Sequence, residues 1–173
     1  ATGHVTVKEV MQDGYEFASA VCVITSDSGA TAEQSIDSDT GTLTGLKPGD
    51  AAECTFTNKP QTGSVTWTKV DANGVALSGS VWELTGPGAE GASVEIADCI
   101  EDAAADCTGA DRDPQAGAFK LSGLTWGDYT LVETKAPAGF VRADTEYSFS
   151  IGAQEPAQLV WDLGQIENED RKS

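Results

Sequence analysis

Short stretches in which apolar and polar residues alternate recur along the chain. The clearest is Ser64–Val70, where Val65, Trp67 and Lys69 would share one side of an extended strand and two threonines the other. Successive side chains of a strand point to opposite faces, so this period of two predicts a β-strand. The 19 glycines and the many Thr, Ser and Val residues also favour short strands and turns over helices.

The second part of the chain carries a regular series of such stretches separated by turn residues. We predict strands at Ser64–Val70, Ser80–Leu84, Ser93–Ala97, Ala118–Leu121, Tyr129–Thr134, Glu146–Ile151 and Leu159–Leu163. Asn73-Gly74 is a tight-turn sequence, and the acidic, Ala-rich segment Asp98–Gln115 is predicted to be a long loop. Strands and turns at this frequency predict an all-β sandwich.

The chain is predicted to contain two domains, residues 1–60 and 61–173. Pro60 and Gly63 follow the predicted strand Glu53–Thr57, so Thr57–Gly63 is interpreted as a linker. An internal repeat supports the division, because Val5–Glu9 resembles Tyr129–Glu133. The first copy begins at what is a late strand in the second. We therefore expect residues 1–60 to be a partial β module with later strands only.

The formal net charge of −18 excludes two classes of partner. Such a surface repels the phosphates of nucleic acids and anionic lipids, so neither is expected to bind. No stretch has the apolar length of a membrane span, and no signal peptide is recognisable. We therefore expect the sequence to be a mature protein or a fragment of one.

Four cysteines are present: Cys22, Cys54, Cys99 and Cys107. An even number is typical of two disulfides in an oxidising compartment, although spacing alone leaves the pairing open. Because Cys99 and Cys107 both fall in the predicted long loop, we interpret them as a disulfide that closes it.

Conventional enzyme and metal sites are not expected. His4 is the single histidine, and neither cysteine pair has zinc-ligand spacing. A Ser-His or Cys-His nucleophile would need that same His4. The acidic loops lack the spacing of an EF-hand, so we expect no metal and no cofactor.

The most specific motif is Tyr129–Phe140, which reads Y-T-L-V-E-T-K-A-P-A-G-F. It is similar to the signature of the B-type repeat of Gram-positive collagen adhesins. Val65–Asp71, Leu77–Leu84 and Ile166–Asn168 resemble other strands of that module, in the right order. The resemblance implies an immunoglobulin-like, prealbumin-like β-sandwich of the CnaB type, a module that builds many sortase-assembled pilins.

The first region resembles another prealbumin-like module, common in actinobacterial surface proteins. Val5–Glu9, Leu46–Asp50 and Cys54–Asn58 are similar to its later strands. In that family the two cysteines lie on neighbouring strands. The resemblance therefore implies a Cys22–Cys54 disulfide.

The resemblance to the collagen-adhesin repeat also implies a self-formed isopeptide bond between Lys69 and Asn168, assisted by Glu133. Burial favours the uncharged forms of lysine and glutamic acid, so the amine can attack and the acid can polarise the asparagine carbonyl. Fixed proximity supplies a large effective concentration. The alternation places Lys69 and Glu133 on apolar faces, as a buried site requires.

These residues can also have simpler structural roles. Lys69 can extend its amine to solvent, Glu133 can lie on the surface, and Asn168 can simply end a strand. Asp162 is the alternative acceptor. Glu9 and Asn58 resemble Glu133 and Asn168, but their lysine would lie on a strand outside this chain, so we expect no isopeptide bond within the first region. The four tryptophans are expected in the core.

The predicted function is a structural stalk module of a sortase-anchored pilin or cell-surface adhesin, located outside the cell on the wall or pilus. Its partners would be sortase and neighbouring pilin or cell-wall components. The alternative is an adhesin module that binds a host ligand through Asp98–Gln115 or Ser26–Thr44, although neither loop contains an aromatic residue. A glycosidase with paired carboxylates is not expected. The self-formed isopeptide bond would be made once per chain, so we do not expect the protein to be an enzyme.

Overall fold

A computed structural model describes residues 3–87, 93–152 and 158–172. The chain divides into two compact units, and the division falls between Gln61 and Thr62. We call Ala1–Gln61 the first unit and Thr62–Ser173 the second unit. Among the described residues, no helix has the length and apolar character needed to cross a membrane.

The second unit is a β-sandwich. Its strands are β6 (Gly63–Val70), β7 (Val81–Thr85), β8 (Ser93–Ala97), β9 (Ala118–Leu124), β10 (Gly127–Lys135), β11 (Glu146–Ile151) and β12 (Val160–Glu167). One sheet has the order β12-β6-β9 and the other β11-β10-β7-β8. The first and last strands, β6 and β12, are adjacent and parallel, whereas β6 and β9 are antiparallel. The prediction of an all-β sandwich is confirmed.

Aromatic side chains fill the space between these two sheets. Trp67 stacks on Phe119 with ring centroids 4.9 Å apart, and Trp82 of the other sheet meets Trp67 edge-on at 5.5 Å. Both tryptophans are buried. Trp126 and Trp161 pack against this core from partly buried positions. Aromatic pairs of these geometries stabilise a core beyond the apolar area that they bury.

A bulge in β12 changes which side chains face the core. Asp162 pairs with Thr66, but Gln165 pairs with Thr68, so β12 has one residue more than β6 in this interval. Gly164 lies in the bulge with a φ of 74°, a left-handed conformation that glycine adopts without strain. β12 therefore extends beyond the predicted Leu159–Leu163. The side chains that face the core are odd-numbered before the bulge and even-numbered after it.

The predicted loop Asp98–Gln115 is closed by the Cys99–Cys107 disulfide. A single 3-10 turn at Ala104–Asp106 is its regular element. The buried carboxylate of Asp111 accepts bonds from the backbone N–H groups of Cys99, Asp113 and Lys120. The bond to Lys120 ties the loop to β9, and the bond to Cys99 joins the two ends of the loop to each other.

The first unit contains β1 (Gly3–Thr6), β2 (Tyr15–Thr25), β3 (Thr31–Ile36), β4 (Thr42–Leu46) and β5 (Ala51–Pro60). β1 pairs with β4, and a second sheet has the order β3-β2-β5. The Cys22–Cys54 disulfide joins directly opposite residues of β2 and β5. Its core is small and consists of Ala20, Cys22, Ile36 and Leu43 with partly buried neighbours.

The predicted linker Thr57–Gly63 was too long. Residues 57–60 belong to β5, because β2 supplies a partner strand that ends with Tyr15 opposite Pro60. Proline is tolerated at the end of an edge strand, where its missing N–H breaks no ladder bond. Only Gln61 and Thr62 separate β5 from β6.

Candidate functional site

Lys69, Glu133 and Asn168 converge in the interior of the second unit. Lys69 comes from β6, Asn168 immediately follows β12 in the same sheet, and Glu133 comes from β10 in the opposite sheet. The three residues are 0%, 1% and 2% exposed. The pairing of β6 with β12 places Lys69 and Asn168 in neighbouring segments of the sheet. Ile166 pairs with Lys69, and the Asn168 N–H donates to the Val70 carbonyl.

The Lys69 side chain is buried because its neighbours on the same face of β6, Val65 and Trp67, are core residues. Its Nζ donates to the Ile166 carbonyl at 3.0 Å and lies 5.7 Å from the centroid of the Trp82 ring. The nearest Glu133 oxygen is 3.8 Å away. Burial lowers the pKa of Lys69 from its ordinary 10.5, and the negative charges of Glu133 and Glu167 oppose that shift.

Glu133 connects the site to the backbone of the following loop. Its Oε2 accepts a bond from the Ala143 N–H at 2.9 Å, and both of its carboxylate oxygens lie 3.0 Å from Asn168 Nδ2. The other side-chain atom of the amide, Asn168 Oδ1, is buried and has no hydrogen-bond partner among the described residues. An unpaired buried carbonyl is costly, so this amide is poised for another interaction.

The carboxylate also affects a neighbouring phenol. Burial raises the pKa of Tyr147, a hydrogen bond with the Thr145 side chain opposes that rise, and the negative charge of Glu133 adds to it. A cavity of about 430 Å³ is lined by Phe140, Glu167 and Asn168 among others. The buried site therefore borders a surface cavity at Asn168.

The alternative acceptor Asp162 lies elsewhere. It is exposed, and its Oδ1 accepts a bond from the Gly164 N–H at 2.8 Å within the bulge. The structure therefore does not bring Asp162 to Lys69. His4 is exposed in β1, and in the described parts of the chain no group of three or more His, Cys, Asp or Glu residues could hold a metal ion.

Three contacts of this site could not be predicted from the sequence. The Ile166 carbonyl and the Ala143 N–H are backbone groups, which a side-chain pattern does not reveal. Trp82 was expected in the core, but its alternation did not show that its ring lies against Lys69. Glu9 and Asn58 of the first unit are brought together, with Asn58 Nδ2 donating to Glu9 Oε1 at 2.8 Å.

Several solved structures are similar to this chain. The group B streptococcus pilus 2b backbone protein is 15% identical with a TM-score of 0.44, covering 98% of this chain and 84% of its own. BcpA, the major pilin subunit of Bacillus cereus, is 18% identical with a TM-score of 0.46, covering 90% and 60%. The full-length major pilin SpaD from Corynebacterium diphtheriae is 17% identical with a TM-score of 0.44, covering 64% and 32%.

This chain spans less than two thirds of the second and third of these proteins. No curated protein sequence matches it. Residues 63–164 match the SpaA prealbumin-like fold domain, and this range is more than half of the 173 residues. The chain therefore belongs to the SpaA family of prealbumin-like fold domains.

Proposed function

We propose that the second unit joins Lys69 to Asn168 through a self-formed amide bond, and that the chain is a structural module of a pilus or cell-surface protein. The observation that carries the proposal is the burial of an amine, a carboxyl group and an amide in one contact group. Burying three polar side chains beside an apolar core is costly unless they interact with one another, and here they lie in one contact group.

The reaction needs a neutral amine, and burial of Lys69 favours that form. The neutral Lys69 Nζ attacks Asn168 Cγ and forms a C–N bond, one Nζ proton passes to Nδ2, and the Cγ–Nδ2 bond breaks so that Nδ2 leaves as ammonia. A half-turn of the amide exchanges its nitrogen and oxygen, which places the carbonyl oxygen against Glu133. A proton held by Glu133 then stabilises the charge that develops on this oxygen.

The position of the bond suits a module that works under tension. Force applied at the two ends of the second unit acts on β6 and β12, which lie side by side and parallel. A Lys69–Asn168 amide joins these strands covalently near the end of their ladder. Force then passes from one strand to the other through a covalent bond, and the hydrogen bonds of the remaining strands carry little of it.

The same proposal sets the location and the partners. A stalk module works outside the cell, on the wall or the pilus, where the Cys22–Cys54 and Cys99–Cys107 disulfides are stable. Its partners are sortase and neighbouring pilin or cell-wall components. A host-ligand role for the loop Asp98–Gln115 is less supported, because the loop contains no aromatic residue.

Intact mass of the reduced and denatured protein tests the proposal. A bonded chain is about 17 Da lighter than its sequence mass, the mass of one ammonia. Peptide mapping then locates a branched peptide that contains Lys69 and Asn168. The variants Lys69→Ala and Asn168→Ala should each restore the full mass. If the parent protein has its full sequence mass, the proposed amide bond does not form. A loss of about 18 Da mapped to Asp162 would show that Asp162, and not Asn168, is the acceptor.

A further inference from the structure

A short segment crosses the end of the second unit where Glu133 and Asn168 meet. It consists of residues 140–143, and we call it the strap. The strap follows a turn in which the Phe140 N–H donates to the Pro137 carbonyl at 3.1 Å. It lies between β10 and β11 and belongs to neither strand, so its position depends on the contacts that its own residues make.

On one side, the strap is bonded to the residues that directly follow Asn168. Phe140 forms an antiparallel bridge with Asp170, and the Val141 N–H donates to the Glu169 carbonyl at 2.8 Å. The strap is therefore attached to the chain segment that carries the proposed acceptor.

On the other side, the strap is bonded to Glu133 at two points. Arg142 Nη1 donates to the Glu133 backbone carbonyl at 3.3 Å, and the Ala143 N–H donates to Glu133 Oε2 at 2.9 Å. Arg142 Nη2 also donates to Asp144 Oδ1 at 2.8 Å. A planar guanidinium suits this role, because it presents several donors in a fixed arrangement. Arg142 thus holds the backbone of Glu133, while the next residue holds its carboxyl group.

The bond from Ala143 makes the two carboxyl oxygens of Glu133 different. Oε2 accepts the Ala143 N–H, whereas Oε1 lies 3.8 Å from Lys69 Nζ. Both oxygens lie 3.0 Å from Asn168 Nδ2. Oε1 is therefore near both reacting groups, and the N–H bond to Oε2 holds the carboxyl group in that orientation.

We infer that the strap aligns Glu133 with Asn168 and that Arg142 is its positioning residue. The strap connects β10 of one sheet, which carries Glu133, to the segment after β12 of the other sheet, which carries Asn168. Arg142 acts through Ala143, whose N–H it holds against the carboxyl group. A displacement of about 1 Å at a reacting group can slow a reaction about a hundredfold. The inference rests on the proposed function, because it concerns the rate at which the proposed bond forms.

The rate of bond formation in the full chain tests this inference. The protein is made by cell-free synthesis under oxidising conditions with a short isotopic pulse. Samples are denatured at intervals, and the loss of about 17 Da is followed over time. We expect Arg142→Ala to form the bond roughly tenfold to a hundredfold more slowly than the parent. Arg142→Lys should recover part of the rate, because an ammonium group can still donate to the Glu133 carbonyl.

Lys135→Ala is the matched control. Lys135 is an exposed cation that lines the same cavity of about 690 Å³ as Arg142, and within the described part of the chain it has no hydrogen bond or ion pair with Glu133. This variant should form the bond at the rate of the parent. Equal slowing in Lys135→Ala and Arg142→Ala would overturn the inference, since positive charge in this region would then set the rate.

A purely structural role of Arg142 is tested in a Lys69→Met background, which cannot form the bond. There Arg142→Ala should lower Tm by no more than about 4 °C, because the Arg142 side chain is 53% exposed. Hydrogen exchange at the Ala143 amide should become faster. A larger fall in Tm would show that Arg142 supports the fold, and unchanged exchange would show that it does not hold Ala143.

The mass of the parent separates failure of this inference from failure of the proposed function. If the parent loses about 17 Da and Arg142→Ala does so at the same rate, the positioning role is overturned and the proposed function stands. If the parent keeps its full sequence mass, the proposed function fails and this inference fails with it.

Discussion

Replacing Glu133 by glutamine should block the amide bond while leaving the site nearly the same in shape. The Glu133→Gln side chain keeps an oxygen that can accept from the Ala143 N–H and a group that can contact Asn168. The substitution removes the carboxyl group that acts as the acid in the proposed reaction. We therefore expect the Glu133→Gln protein to keep its full sequence mass.

The cost in stability follows from the size of the loop that the bond would close. Lys69 and Asn168 enclose about 100 residues, for which chain-entropy theory gives about 4.7 kcal/mol of stabilisation. For a domain of this size such a loss lowers Tm by roughly 20 °C. Chemical denaturation of the parent and the variant, followed by tryptophan fluorescence, measures the difference.

A matched control separates the bond from the other contacts of Glu133. In a Lys69→Met background no bond can form, so Glu133→Gln there reports the lost side-chain contacts alone. The difference between the two backgrounds is the coupling free energy, and we expect about 4.7 kcal/mol. All four proteins are weighed by mass spectrometry before unfolding.

Two results would refute this reasoning. If Glu133→Gln loses about 17 Da as readily as the parent, Glu133 does not assist the reaction. If the mass loss disappears but the coupling free energy is near zero, the cross-link does not stabilise the second unit by closing a loop. Either result is read directly from the four proteins.

Three further predictions concern protonation, the disulfides and the bulge. Burial lowers the pKa of Lys69, so between that lowered pKa and 10.5 the unfolded chain binds more protons than the folded chain. In the Asn168→Ala variant, which cannot form the bond, the free energy of unfolding should therefore rise with pH in this window. The double variant with Lys69→Met should lack that rise in denaturant titrations at several pH values. Breaking the Cys22–Cys54 disulfide, whose sequence separation is 32, should destabilise the first unit by about 3.7 kcal/mol, whereas breaking Cys99–Cys107 should destabilise the second by about 2.5 kcal/mol. Unfolding with and without reductant measures both losses, with Cys→Ala pairs as controls. Equal losses would argue against loop closure as the cause. Deleting Gly164 should make the β12 ladder regular and retain the mass loss. An alanine inserted after Gly164 should turn Asn168 away from Lys69 and abolish the mass loss. The opposite pattern would show that the bulge does not set which side chains of β12 face the core.

The positions of Lys69 and Glu133 could be predicted because each lies on a strand with unbroken alternation. Val65, Trp67 and Lys69 are all buried, as are Leu131 and Glu133. Here a period of two is sufficient, since the strands are regular over the residues that matter. The seven predicted strands of the second unit are likewise present, with changes at their ends.

The position of Asn168 could not be derived in this way. Its alternation was weak in the sequence because the bulge at Gly164 adds a residue, and the inward set passes from Leu163 to Ile166. A bulge depends on the partner strand and leaves no periodic pattern. The linker prediction was wrong for a similar reason: the strand β2 that holds Thr57–Pro60 lies far away in sequence.

The Cys22–Cys54 disulfide gives the first unit a length that depends on the redox state of its surroundings. When the first unit is stretched and unfolds with this disulfide intact, the segment between the two cysteines, which are 32 residues apart in sequence, cannot extend. Reduction releases it, and at about 3.3–3.6 Å per residue the chain lengthens by about 110 Å. The unfolded first unit is therefore shorter under load in an oxidising medium than in a reducing one.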